Sequence, residues 1–386
     1  MNRLYGAAIE QAAARIGEHA GRVLRETEEA PVLLAELLGQ PRDRRRALAG
    51  SEPRFRLLKL CDQLETASRQ AWADDPAAAL ELAGLAVEIA ERLDADRYGE
   101  ALVEDARALA WAYLGNARRI AGDLDRSEEA LARAEAHYRK FETDLLTEAE
   151  ILGFEASLRN TQGRFAEAAT LLDRVLRLYR ETGDRHQEGR ALILKGMILG
   201  DGGDFREAVR HLGAGLHLVD GAAEPRLLLV ARHNLAWYLS DDGRHREALA
   251  ALEPHRQLYL ELGNRMDLLR LRWLEGRIAL GLGRLDEGEE ALGLAREAFL
   301  EQGICFDAAL VSLDLAMVHA RRGDTAGVQR IASEIVPVFQ ACGVHPEAIA
   351  ALLLVCQTER ITAEFLDRVA DYLRRSRRDP ELRFEG

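Results

Sequence analysis

Histidine and cysteine are the residues of this chain that could bind a metal or carry out nucleophilic chemistry, but their spacing favours neither use. The ten histidines are scattered, and His211 and His217 lie six residues apart on a predicted helix, where they do not share one face. The sequence contains no HExxH motif, no Gly-rich phosphate loop and no GxSxG motif. The cysteines form no CxxC or Cys/His metal spacing, so we expect reduced, buried side chains at Cys61, Cys305, Cys342 and Cys356. The sequence therefore predicts a binding protein that is not an enzyme and uses no metal and no cofactor.

Length and charge narrow the class of protein further. The chain has 386 residues, whereas single cores stop growing near ~250–300 residues, so two domains or a stack of repeats are expected. The net charge of −13 and the pI near 5.4 disfavour a nucleic-acid partner, because that affinity comes from clustered Lys and Arg. The first residues contain no apolar signal-peptide core, and no uncharged apolar stretch is long enough to span a bilayer. We therefore expect a cytoplasmic protein with no membrane partner.

Gly-Asp and Gly-Arg dipeptides recur at a regular spacing along most of the chain. They begin at Gly122, Gly163, Gly203, Gly243, Gly283 and Gly323. Successive glycines are 41, 40, 40, 40 and 40 residues apart. A fixed period of this length indicates stacked repeats, and a composition rich in Ala, Leu, Glu and Arg favours helices. The chain is therefore predicted to be all-α and built of helical repeats.

Each repeat carries small and apolar residues at fixed distances from its turn glycine. Seven residues before the glycine lie the small residues Gly115, Ala156, Gly196, Ala236, Gly276 and Ala316. Nine residues after it lie Leu131, Leu172, Leu212, Leu252, Leu292 and Ala332, and sixteen after it lie Tyr138, Tyr179, Val219, Tyr259, Phe299 and Phe339. Positions seven apart share one helix face, so each repeat is predicted to be helix, glycine turn, helix, with a close approach of two helices at the small residue. A left-handed cap is expected to end the second helix at Gly183, Gly263, Gly303 and Gly343.

These blocks resemble a known repeat family. The segment Ala110–Ala117, followed by Gly122-Asp123-Leu124, looks like the first helix and turn of a tetratricopeptide repeat, and the segments after Gly163 and Gly203 resemble the turn into its second helix. The resemblance covers about residues 100–345, and the 40-residue units are similar to long-helix bacterial members of the family, including receptors for short signalling peptides. It implies a right-handed α-solenoid of about seven or eight antiparallel helix pairs with helical caps.

Four segments are predicted along the chain. An N-terminal helical cap occupies residues 1–52, in short helices broken at Pro31 and Pro41, and a degenerate helix pair follows over 53–98. Six repeats occupy residues 99–344. Residues 345–386 are predicted to form C-terminal capping helices and a polar tail, because the last unit of a solenoid needs a solvated outer face. The basic run at 374–378 is predicted to be a solvated helix end.

The resemblance also implies where a ligand would bind. In this family the first helix of each repeat lines the concave groove, so the positions thirteen, ten, six and three residues before the turn glycine are expected to face the ligand. The predicted groove residues are Asn116, Arg119, Asn160, Arg190, His233, Trp237, Arg270, Trp273 and Arg277. Amides would hold an extended peptide backbone, arginines would attract acidic side chains, and tryptophans would take an apolar anchor.

Several of these residues have a structural alternative. Trp237 and Trp273 would equally well pack between adjacent first helices, because large aromatic side chains are usually well buried. Arg190, Arg270 and Arg277 could pair with acidic neighbours on the same helices, as exposed arginines commonly do. The sequence alone leaves both interpretations open.

The expected function is a non-catalytic scaffold that binds another protein or an extended, acidic peptide. The alternative is a regulatory sensor, in which a small signalling peptide controls an effector or transcription factor. A third possibility, nucleic-acid binding, is disfavoured by the acidic net charge. A ligand held by its C-terminal carboxylate is not favoured either, because Ala112 stands where the family's carboxylate clamp needs a lysine one turn before Asn116.

Overall fold

The fold is described here from a computed structural model. It describes residues 21–72, 74–142 and 144–341, together with Glu364, Arg368, Val369 and Tyr372. Within these residues the chain forms helices and turns and contains no β-strand. The chain divides into two compact units, Met1–Leu158 and Arg159–Gly386. The predicted all-α repeat fold is confirmed.

Unit 1 contains the N-terminal helices and the first helix pairs. Helix α1 covers residues 21–38 of the described chain and continues through Pro31 without a break. The prediction of a break at Pro31 is therefore wrong. Pro31 is exposed, and the carbonyl group that loses its helical partner can be hydrated on that side. The remaining helices are α2 (Arg42–Ser51), α3 (Leu58–Ala71), α4 (Pro76–Ala90), α5 (Ala95–Tyr98), α6 (Glu100–Ile120), α7 (Leu124–Tyr138) and α8 (Leu145–Thr161), whose last three residues belong to unit 2.

Unit 2 continues the same alternation of helices. Its first helices are α10, α12, α15 and α17, and each packs against the second helix that follows it, as α10 does against α11. The helices are α9 (Phe165–Thr182), α10 (Arg185–Asp201), α11 (Phe205–Leu216), α12 (Pro225–Asp241), α13 (His245–Leu252), α14 (Arg256–Leu262), α15 (Arg265–Gly281), α16 (Leu285–Glu301), α17 (Cys305–Arg321) and α18 (Thr325–Ala341).

The turn glycines have the conformation that the dipeptide pattern requires. All six have φ between 75° and 90°, where a side chain would be strained. In the Gly-Asp turns the following aspartate caps the second helix, as at Asp123, whose side chain accepts from the Arg126 amide at 3.2 Å. The predicted left-handed caps at Gly183 and Gly303 are also present, with φ of 73° and 70°.

Gly263 departs from this pattern, and the left-handed cap predicted there is wrong. Its backbone is extended, with φ −74° and ψ 133°. The chain passes directly into Asn264, the N-cap of α15, whose side chain and that of Asp267 each accept a hydrogen bond from the other's backbone amide. An extended linker delivers the chain to this capping box. Gly343, the fourth predicted cap, lies outside the described residues.

The small residues bring the two helices of a repeat together. A Cβ atom added to the glycine would lie only 2.7–2.8 Å from the Cγ atom of the leucine nine residues past the turn. Carbon atoms do not approach that closely, so the glycine itself permits the contact. The three pairs are Gly115 with Leu131, Gly196 with Leu212, and Gly276 with Leu292.

Proline divides one second helix that the sequence pattern presents as continuous. Helix α13 ends at Leu252, a 3-10 turn covers Glu253–His255, and α14 follows. Pro254 has no amide hydrogen for the helical ladder, which explains the break. Leu252 and Tyr259 nevertheless remain buried on the same side, at 2% and 1% exposure.

The cysteines and the C-terminal segment are only partly described. Cys61 is buried as predicted, whereas Cys305 is exposed, because it is the first residue of α17 at the surface, so its predicted burial is wrong. Several predicted features lie outside the described residues: Cys342, Cys356, the side chain of Phe339 and the basic run at 374–378. Residues 1–20 and most of the predicted C-terminal cap lie outside them as well. Of that cap, Val369 and Tyr372 are buried in the apolar cluster that contains Ile331 and Ile335 of α18.

Candidate functional site

A cavity of about 400 Å³ opens between the first helices of unit 2. Its walls are formed by residues of α10, α12, α15 and α17, and Tyr259 of α14 closes one side. Four of the predicted groove residues line it: His233, Trp237, Arg270 and Trp273. The volume lies within the range of ~300–1,000 Å³ that is typical of ligand sites.

The two tryptophans form the apolar middle of the cavity. Their rings meet edge to face, with centroids 5.0 Å apart. Trp273 is only 6% exposed, and its Nε1–H donates to Oδ2 of the buried Asp314 at 2.6 Å, so most of this side chain belongs to the core. Trp237 is half-buried and presents more of its surface to the cavity.

Arg277 lies behind this aromatic pair. Its guanidinium group stacks on the Trp237 ring at 4.8 Å from the centroid and donates to Oδ1 of Asp241 at 2.7 Å. A second carboxylate, that of Asp314, lies 3.5 Å from its Nε. The side chain is 10% exposed and does not line the cavity. Its charge therefore holds two carboxylates and one tryptophan in place within the wall.

One end of the cavity carries His233 from the middle of α12 and Asp267 and Arg270 from the first two turns of α15. Burial, and next the nearby guanidinium group of Arg270, lower the pKa of His233 to about 4, while Asp267 acts in the opposite direction. Arg226 donates to Oδ1 of Asp267 at 3.0 Å. Burial would raise the pKa of Asp267, but the hydrogen bonds from Arg226 and the Asn264 amide outweigh it and lower that pKa. At His233 the field of Arg270 therefore exceeds that of Asp267.

The opposite end of the cavity is acidic. The Tyr238 hydroxyl donates to Oδ1 of Asp201 at 3.1 Å and also lies 3.2 Å from the carbonyl oxygen of Met197. The Tyr238 ring lies so close to Gly200 that a Cβ atom there would be 2.3 Å from it. A glycine at this position therefore allows the tyrosine to hold the Asp201 carboxylate at the cavity wall.

Family models recognise the repeats in this chain. A model of the tetratricopeptide repeat matches residues 147–216, and a second model of the same repeat matches residues 229–254 and 309–334. The helix, glycine turn, helix architecture agrees with this match. The chain contains tetratricopeptide repeats over these residues. Among curated proteins, none matches its sequence.

Solved structures share this tetratricopeptide-repeat fold. The apo form of RapI is 12% identical, with a TM-score of 0.51 over 73% of this chain and 98% of that one. A Rap protein complexed with competence and sporulation factor is 15% identical, with a TM-score of 0.51 over 89% and 99% of the two chains. A signal transduction ATPase from Pyrococcus horikoshii with a tetratricopeptide-repeat sensor is 15% identical, with a TM-score of 0.53 over 87% and 55%. At these identities the likeness concerns the fold alone.

The remaining predicted groove residues of this repeat protein do not line the cavity. In unit 2, Arg190 pairs with Glu224 at 3.2 Å, and the buried Oδ1 of Asn160 has no hydrogen-bond partner among the described residues. In unit 1, Asn116 is 2% exposed and accepts a hydrogen bond from Nε of Arg119 at 3.0 Å. Burial also lowers the pKa of Arg119. The nine residues are therefore distributed over both units.

Sequence reasoning did not assign several residues that line the cavity. Tyr259 was assigned to the apolar stripe of a second helix, and nothing in a stripe indicates that its hydroxyl group meets a histidine of the first helix at the cavity wall. Asp201 and Asp241 both lie two residues before a turn glycine, and this shared register was an available signal. The other unassigned acids are Asp267 and Asp307.

The part of the chain that the structure describes offers no ready metal site. No three His, Cys, Asp or Glu side chains there are grouped to hold a metal ion. His211 is 6% exposed, with Nδ1 at 2.9 Å from the backbone oxygen of Glu207, so it is a packed residue of α11. No described helix is both long and apolar enough to cross a membrane.

Proposed function

We propose that this tetratricopeptide-repeat protein is a non-catalytic scaffold of the cytoplasm that binds a peptide or a partner protein through the first helices of its repeats. The observation that carries the proposal is the cavity of unit 2, in which aromatic side chains lie between polar groups of opposite character. Aromatic residues and arginine are the anchors that interfaces enrich. In unit 2 the ligand surface would comprise Asn160, Arg190, His233, Trp237, Arg270, Trp273 and Arg277, and in unit 1 the proposed contacts are Asn116 and Arg119.

Within this surface, Arg270 and Trp237 are the best candidates for direct contact. Arg270 is exposed at the cavity and forms no ion pair with any residue that the structure describes. Trp237 is half-buried and offers an apolar face beside it. By contrast, Trp273 and Arg277 would act from within the wall, by fixing the position of Trp237. An acidic side chain of a peptide would fit the end of the cavity that holds Arg270.

The role of a peptide sensor is the second candidate. A cavity of about 400 Å³ would enclose a short ligand or a few side chains rather than a broad protein surface. One protein with this fold is recorded in complex with competence and sporulation factor, which supports the same idea for this chain. In this case a bound peptide would shift the repeats between two arrangements and so control an effector.

The test uses a phage-displayed library of random heptapeptides, followed by fluorescence anisotropy with the selected peptides. We expect selected peptides to be rich in Asp and Glu, and Trp237→Ala and Arg270→Ala to weaken binding about tenfold or more, since a lost anchor costs ≥1.4 kcal/mol. Arg272→Ala is the matched control, because Arg272 is exposed on the same helix and does not line the cavity. Equal binding by all variants would place the ligand elsewhere, and selection of Lys-rich peptides would contradict an acidic ligand.

The sensor role is tested by small-angle scattering with a selected peptide. A change in the radius of gyration on binding, absent in Arg270→Ala, supports a sensor. An unchanged radius at saturation supports a passive scaffold.

A further inference from the structure

A buried tyrosine in the cavity wall is hydrogen-bonded to a histidine that also lines the cavity. Tyr259 of α14 is 1% exposed and packs among apolar residues that include Leu229 and Leu252. Its hydroxyl oxygen lies 2.9 Å from Nδ1 of His233, which lines the cavity. The second ring nitrogen of His233, Nε2, has no hydrogen-bond partner among the residues that the structure describes.

The surroundings of Tyr259 determine which of the two groups donates. Burial, and then the charges of Asp267 and Glu275, raise the pKa of Tyr259, so the hydroxyl keeps its proton. Among the described residues, the hydroxyl group has a hydrogen-bond partner only in His233. If Nδ1 carried the imidazole proton, the hydroxyl hydrogen would need another acceptor, and this 1%-exposed side chain has none among the described residues, which is costly for a buried donor. The hydroxyl therefore donates to Nδ1.

The protonation state of His233 then follows. Burial and the neighbouring Arg270 lower its pKa to about 4, against the opposing effect of Asp267, so the ring is neutral at pH 7. A neutral imidazole carries one proton, and Nδ1 accepts from Tyr259. The proton must be on Nε2, and the Nε2–H group is available to a molecule in the cavity.

We propose that His233 presents a neutral Nε2–H donor to the cavity, with Tyr259 as the positioning residue that fixes this tautomer. Together with Arg270, this end of the cavity then recognises an oxygen acceptor of the ligand, a carboxylate or a carbonyl oxygen. The ligand class rests on the proposed function, because it requires that the cavity is the binding site. The tautomer does not.

The tautomer is measured without any ligand, by ¹⁵N nuclear magnetic resonance of the imidazole groups, with His233→Gln to assign the signal. We expect a protonated Nε2 and an unprotonated Nδ1 at neutral pH. Tyr259→Phe, which keeps the ring and removes the hydroxyl, should move the signal towards a mixture of the two tautomers. Tyr138→Phe is the matched control, since Tyr138 occupies the same register of the repeat in unit 1. A protonated Nδ1, or a charged ring at neutral pH, would overturn the proposal.

The ligand class is measured by titration of the same signal with acetate, acetamide and methylammonium, which offer a carboxylate, a carbonyl oxygen and no oxygen, respectively. We expect acetate to shift the His233 signal, acetamide to shift it less, and methylammonium to leave it unchanged. A carboxylate ligand predicts that Arg270→Ala removes the difference between acetate and acetamide, and a carbonyl ligand predicts no difference at the start. A shift by methylammonium, or by none of the three, would refute an oxygen acceptor. If heptapeptides bind while Nδ1 is protonated, the tautomer inference fails and the proposed function stands. If Nε2 is protonated as expected but no heptapeptide is selected, the tautomer inference stands and the proposed function fails.

Discussion

Replacing Gly276 by alanine tests whether the close helix approach holds the repeats together. In an open helix this change stabilises a protein by roughly 0.5–1 kcal/mol, because glycine loses more conformational entropy on folding. At Gly276 the new Cβ atom would lie 2.7 Å from Cγ, 2.9 Å from Cδ2 and 3.2 Å from the backbone nitrogen of Leu292. A rotamer change of Leu292 relieves the first two contacts but not the third, so α15 and α16 must separate.

Overpacking of this kind costs roughly 1–3 kcal/mol, which exceeds the gain in helix propensity. We therefore expect Gly276→Ala to lower the free energy of unfolding by about 1–2 kcal/mol. Gly293→Ala is the matched control. Gly293 lies in the adjacent helix α16, and a Cβ atom there meets nothing within 4 Å, so this variant should be more stable by roughly 0.5–1 kcal/mol.

The assay is urea denaturation followed by far-ultraviolet circular dichroism and by tryptophan fluorescence, with the midpoint and slope compared among the three proteins. Opposite shifts of the two midpoints support the reasoning. Equal stabilisation by both substitutions would show that the helices separate at little cost, and the close approach would then not be a determinant of stability.

Two further predictions concern charged residues in the helix contacts. Burial would raise the pKa of Glu104, but hydrogen bonds from Lys140, His137 and Arg107 outweigh it and lower that pKa to about 2. As the pH falls, this carboxylate is therefore protonated in the unfolded chain before it is protonated in the folded one. The free energy of unfolding should fall as the pH drops from 4.5 towards 2. Glu104→Gln should flatten this part of the pH profile of thermal unfolding, and an unchanged profile would contradict the assignment. Asp314→Ala should destabilise the protein by roughly 3–5 kcal/mol, because the buried indole N–H of Trp273 loses its acceptor and Arg277 loses one of its two carboxylates; an unfolding midpoint close to that of the wild type would count against this.

The repeat architecture could be predicted from the sequence because its signals are local. A glycine with positive φ is required at each turn whatever surrounds it, so a spacing of 40 residues indicates the turns directly. Small residues at a fixed distance from the turn mark the helix contacts for the same reason. The failures at Pro31 and Gly263 arose where the local rule depends on hydration or on the next helix cap, which composition does not reveal.

The candidate site was predictable only in part. Helical register placed His233, Trp237, Arg270 and Trp273 on the first helices, and these residues do line one cavity. Register could not distinguish a side chain that faces the groove from one enclosed between neighbouring helices, because both lie on the same stripe. Trp273 is of the second kind.

The sequence by itself determined the helical class, the period and the turns, because each depends on local signals that recur in every repeat. Only the tertiary structure decided which charges are already engaged and which polar groups meet. Asp241 and Arg277 lie 36 residues apart and form an ion pair, and His233 and Tyr259 lie 26 residues apart and share a hydrogen bond. Such contacts depend on the distance and rotation between adjacent helices, which are set by packing and which no spacing within one helix specifies.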